Sequence, residues 1–142
     1  MKAYLGTAMV LAAMLIIFTL GREAQSQRAE DARVAQILDI MEGINKSQMG
    51  RLQSVMQRGA PDSDEGWRTL EISGALLNEV GHLIVQSGRS RDKVWEEASA
   101  SLRAAGADLL KAAKAKDEDA LRSAIQDVGR SCKSCHDVHR EE

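Results

Sequence analysis

Cys132-Lys133-Ser134-Cys135-His136, close to the C-terminus, decides the reading of this chain. Two cysteines three apart and followed at once by a histidine form the attachment signature of a c-type haem. Each thiol can add across one haem vinyl group, so two thioethers hold the porphyrin edge against one turn of backbone. His136 then lies under the ring, where its imidazole can ligate the iron as proximal ligand. Cys132 and Cys135 are the only cysteines in the chain.

Three other readings of the same residues are weaker. A thioredoxin-like redox CxxC expects a βαβ context, and no strand-like alternation of β-branched residues accompanies this one. A structural zinc site needs four ligands, and the remaining histidines, His82 and His139, supply no second half. A disulfide within a helical CxxC would be strained, because the preferred Cα separation and dihedral are hard to meet there.

The 142 residues fit one domain plus an N-terminal extension. A formal net charge of -2 gives no electrostatic case for nucleic-acid binding. Hydrophobic residues make up 44% but aromatics only 3%, so the core must be aliphatic and alanine-rich, and a porphyrin would add apolar bulk that the side chains lack. Pro61 is the single proline, which leaves long segments free to be helical.

Residues 1–26 carry one early cation, Lys2, and then an uncharged run from Ala3 to Gly21. They read as an export element, either a cleaved signal peptide or a retained membrane anchor. Ala24-Gln25-Ser26 offers a cleavage site before Gln27. Both outcomes place residues 27–142 outside the cytoplasm, in the periplasm, where c-type haem is attached.

Four helices are expected in that domain. The first runs from about Ala29 to Arg58, with Val34, Ile37, Met41, Ile44, Gln48 and Val55 as its stripe and Gly59 and Pro61 as its stop. The second follows Asp62, with Glu65 as capping-box partner, and ends at Ser87-Gly88. Trp67, Leu70, Leu77 and Ile84 share its buried face with Gly74 and Gly81, which cost about 1 kcal/mol each against alanine and serve close approach of a helix or of the haem plane, or mark helix irregularity. The third opens with Ser90 as N-cap, runs to about Lys116, and holds a heptad stripe of Trp95, Ala98, Leu102, Ala105, Leu109 and Ala112. The fourth starts at Asp117 or Glu118, and its stripe of Leu121, Ile125, Val128, Cys132, Cys135 and His139 turns both thiols toward the core. Such helices with short connections predict an all-α, antiparallel up-down-up-down four-helix bundle, with covalent haem on its C-terminal helix.

With these elements in place, the sequence resembles the cytochrome c-prime family, the class II c-type cytochromes. The likeness rests on the tail from Val128 to Arg140, on Trp95 with Ala98, Leu102, Ala105 and Ala112, and on Ile40-Met41, and it covers about residues 30–142. It implies a four-helix bundle, often a homodimer, with one haem c per chain near one end and His136 as fifth iron ligand. Members divide by the sixth position: an open distal face takes nitric oxide or carbon monoxide, whereas a methionine there makes a six-coordinate electron carrier. Met41 aligns with that methionine and is expected as distal iron ligand, while Met49 and Met56 are expected in the core. Arg140 resembles the family arginine on the proximal side and is a candidate haem contact. His139 departs from the family's usual Tyr or Phe, and a polar or packing role is expected for it. His82 reads as a surface or satisfied core histidine.

The expectation is therefore an exported electron carrier, not an enzyme, with gas binding at an open distal site as the alternative. Peroxidase-like chemistry would need a distal acid–base residue, and the sequence offers no candidate. No residue pattern identifies a redox partner.

Overall fold

The computed structural model describes residues 34–86 and 88–140, all of them in helices or short connections. The export element, residues 1–26, and the expected helix start at Ala29 lie outside the described residues. From Ala35 onward the chain forms one compact unit.

The first bundle helix has three parts: α1 (Ile37–Ile40), a π-helical turn (Met41–Asn45) and α2 (Lys46–Arg58). The other three are α3 (Asp64–Leu83), α4 (Lys93–Ala115) and α5 (Glu118–His139). Residues 34–36, expected within the first helix, are not helical. Gln36 has extended backbone, and the Asp39 carboxylate accepts from its N–H at 2.7 Å, which fixes the start there.

The bundle is antiparallel throughout. Lys116, just past α4, reaches Asp64 at the start of α3 at 2.6 Å, and His139 at the end of α5 meets Asp92 before α4 at 3.2 Å. Connections of nine residues or fewer join consecutive helices, as expected for antiparallel neighbours. The first helix ends at Gly59, whose φ of 96° suits glycine, and whose N–H donates to the Val55 carbonyl at 2.8 Å.

Helices α3 and α4 approach most closely, and the glycines explain it. A Cβ on Gly74 would lie 2.6 Å from the Leu110 nitrogen, and one on Gly106 would lie 2.5 Å from the Asn78 nitrogen. The two backbones touch because neither helix carries a side chain at the crossing. Of the readings left open for Gly74 and Gly81, contact with a neighbouring helix is the one observed. Side chains then tie the pair: the Asn78 amide donates to the Arg103 carbonyl at 2.8 Å, and the Arg103 guanidinium donates to the Gly81 carbonyl at 2.9 Å.

Two caps differ from expectation. Ser63, not Asp62, caps α3, its Oγ accepting from the Gly66 N–H at 3.1 Å. Asp92, not Ser90, caps α4, accepting from the Trp95 N–H at 2.9 Å, while Ser90 donates instead to Glu96. The start of α5 is as expected, with Asp117 accepting from the Ala120 N–H.

The largest departure is the π turn. Ile40, Asn45, Gln48 and Leu52 are the buried residues of the first helix, whereas Leu38 and Met56 are exposed. Ile40 and Asn45 are five apart, and the Lys46 N–H donates to the Met41 carbonyl in the i→i+5 manner of a π turn. One extra residue in that turn rotates the inward face away from the stripe expected from unbroken α-helical spacing. Met56, expected in the core, is exposed near the C-terminal end of α2.

Candidate functional site

The first helix packs less closely on its neighbours than α4 packs on α3 and α5, and the bundle opens near its start. A cavity of about 460 Å³ lies there, walled by Met41, Asn45 and Met49 on the first helix, Leu102 on α4, and Cys132, Cys135 and His136 on α5. A second lobe of about 480 Å³ adjoins it and shares Met41, Cys135, His136 and Arg140. Each lobe is in the size range of cofactor sites, roughly 300–1,000 Å³.

The expected residues converge there. The stripe of α5 descends through buried Leu121, Ile125 and Val128 to half-buried Cys132 and Cys135. Burial pushes both thiols above the usual cysteine range, so neither is an activated nucleophile in the free form. His136 lines both lobes and is exposed at the mouth. Met41 stands on the opposite wall, half-buried in the π turn. Arg140 and Lys46 sit at the rim of both lobes and supply positive charge there.

Trp95 forms the floor of the second lobe. Its indole N–H donates to the Ile84 carbonyl at 2.8 Å, which anchors the start of α4 to the end of α3. The His139 ring stands edge-on to Trp95 at 5.3 Å, and its Nε2 is 3.2 Å from Asp92 Oδ1. His139 is thus in ring contact with Trp95 and in polar contact with Asp92. His82 is exposed beside Ile44 and Leu76 in a separate groove, away from the thiols.

Sequence reasoning missed Asn45. Its side chain is buried in the cavity wall, and its Nδ2 donates to the Met41 sulfur at 3.1 Å. Its Oδ1 is the buried side-chain atom without a hydrogen-bond partner among the described residues. The sequence carried no signal for it, because unbroken α-helical spacing puts Ile44 on the inward stripe and the π turn buries Asn45 instead.

The donor set fits a covalently held haem. Two thiols and an imidazole within one turn of α5 border an apolar cavity, and a thioether faces them from another helix. A bare metal ion lacks such a fit, because no group of three or more His, Cys, Asp and Glu side chains converges among the described residues. Comparison with known proteins points the same way. The family model described as Cytochrome C′ matches residues 85–140, a span that contains α4, α5 and both cysteines. Residues 85–140 are thus similar to the cytochrome c′ family. A relative named "Cytochrome c′", from Alcaligenes xylosoxydans xylosoxydans, is 39% identical over 62 residues, covering 39% of this chain and 49% of the relative. The chain thus spans about half the length of that curated relative. No solved structure matches the chain. The cytochrome c′ family carries haem c, an iron porphyrin bound covalently, and the cavity beside Cys132 and Cys135 has the lining that cofactor needs.

Proposed function

We propose that this chain is a cytochrome c′-like protein, an exported one-electron carrier with Cys132 and Cys135 as haem thioethers, His136 as proximal iron ligand and Met41 as distal ligand. The observation that carries the reading is that Met41, on the first helix, borders the same cavity as Cys132, Cys135 and His136 on the last. Haem bound there supplies a one-electron Fe(II)/Fe(III) couple.

The chain's own residues do the rest. Cys132 and Cys135 fix the ring edge to α5, so the porphyrin cannot rotate or leave. His136 and Met41, held on two helices packed in one bundle, resist the movement that would otherwise accompany a change of iron charge. A thioether opposite an imidazole favours the ferrous state and raises the potential. Ile84, Ala98 and Leu102 exclude water from the interior lobe. Arg140 and Lys46, at the mouth, are placed to offset propionate charge and leave an edge reachable by a redox partner. Thioether formation outside the cytoplasm makes the periplasm the place of work, with residues 1–26 as cleaved leader or retained tether. Among the described residues, no helix is long and apolar enough to cross a membrane.

The test is the absorption spectrum of protein matured with haem. The oxidised form should be low-spin with a sulfur-to-iron charge-transfer band, and Met41→Ala should abolish that band. A high-spin spectrum unchanged by Met41→Ala would assign the chain to five-coordinate binding of nitric oxide or carbon monoxide instead.

A further inference from the structure

Asn45 sits in the π turn with its side chain all but removed from solvent, at 7% exposure. Its two polar atoms are treated unequally. Nδ2 donates to Met41 Sδ at 3.1 Å, whereas Oδ1 is buried with no partner among the described residues. A buried acceptor without a partner costs about 1–3 kcal/mol. Reversing the amide would be worse, because oxygen lone pairs would then face the lone pairs of sulfur and the N–H groups would be stranded. The side chain is therefore oriented by the sulfur. The π turn assists by letting Ile40 and Asn45, five residues apart, face inward together.

We propose that Asn45 is a positioning residue for the distal thioether, its amide N–H holding one sulfur lone pair so that the other is aimed across the cavity and is weakened as an electron donor. The inference rests on Met41 serving as iron ligand and goes beyond it, since ligation alone requires no partner for the sulfur. A thioether that gives less electron density binds ferric iron less well, while ferrous iron loses little. The hydrogen bond thus favours Fe(II) and raises the potential. Removing it should lower the potential without removing the ligand.

Two variants of the haem-loaded protein test this, read by potentiometry and by the sulfur-to-iron band. Asn45→Leu, of similar volume, should keep the band but shift it, and should move the Fe(II)/Fe(III) equilibrium toward Fe(III) by about tenfold, which is about 59 mV for a one-electron couple. Asn45→Asp should make the potential depend on pH, because a protonated carboxyl can donate to the sulfur and an ionised one cannot. The wild-type potential should lack this component. A ligand band in the wild type, with potential unmoved in Asn45→Leu and no new pH dependence in Asn45→Asp, would overturn the positioning role while leaving Met41 as ligand. Absence of the band from the wild type would overturn both. The band separates the two roles in the Asp variant, since a carboxylate charge near the iron moves the potential by its charge alone, whereas loss of the hydrogen bond also shifts the sulfur-to-iron band with pH.

Discussion

Individual residues here carry consequences well beyond their own contacts, and Trp95 is the best example. It is 3% exposed, it donates from its indole to the Ile84 carbonyl, and its ring makes a T-shaped contact with that of His139. Trp95→Phe keeps an aromatic ring but leaves that carbonyl without its donor and opens a small void. Loss of a buried partner costs about 1–3 kcal/mol, so urea unfolding of this variant should show a midpoint lowered by that amount of stability, with an unchanged slope. An unchanged midpoint would mean that the Ile84 carbonyl finds another donor. Trp95 was legible in the sequence as a buried anchor because it stands on the third helix's heptad stripe. Its partner was not, because a hydrogen bond between residues eleven apart leaves no trace in periodicity. Asn45 was missed for a related reason: α-helical spacing leaves it off the expected stripe, and the π turn brings it inward beside the Met41 sulfur.

At the scale of elements, the order of helices follows from hydrophobic spacing, and their contacts follow from glycine. Helices α3 and α4 cross at Gly74 and Gly106, where an added Cβ would lie 2.6 Å and 2.5 Å from backbone of the opposite helix. Backbone cannot swing aside as a long side chain can. Gly74→Ala and Gly106→Ala should each destabilise the fold by about 1–3 kcal/mol, the usual cost of overpacking, despite the better helix propensity of alanine. Gly50→Ala, on the first helix with open space around it, should instead be neutral or stabilising. Thermal denaturation of the three variants checks the contrast, and a common shift in all three would remove the crossing as its cause. The fourth helix was readable almost to the residue, because its apolar stripe runs unbroken into the cysteines. Cap positions were not: Asp62 and Ser63 are both capable caps, as are Ser90 and Asp92, and the packing of neighbouring helices chooses between them. The π turn was invisible, since one inserted residue alters the inward face without altering composition.

The whole molecule is tied at both ends by acidic residues at helix starts. At one end the Lys116 ammonium holds the Asp64 carboxyl below the usual carboxylate range. Near the cavity, the Trp95 backbone N–H holds Asp92 below that range, and the hydrogen bond from His139 adds to the effect. A carboxylate whose folded value is depressed stabilises the protein above its unfolded value, about 3.9, and loses that contribution as pH falls through the folded value. Between those values the unfolded chain binds more protons, so stability falls with falling pH. Both sites are open to solvent, so the Asp64–Lys116 part should fade in about 1 M salt, where screening acts within about 3 Å. The Asp92 part depends chiefly on the 2.9 Å hydrogen bond from the Trp95 backbone N–H and should persist. Asp64→Asn and Asp92→Asn should each lower stability at neutral pH and flatten its decline below about pH 4. In high salt only the Asp92→Asn difference should remain. Denaturant titrations across pH 3–6 at two salt concentrations measure this directly. A decline below pH 4 that is equally steep in wild type and double variant would assign acid unfolding to other carboxylates and leave the two helix starts without a part in it.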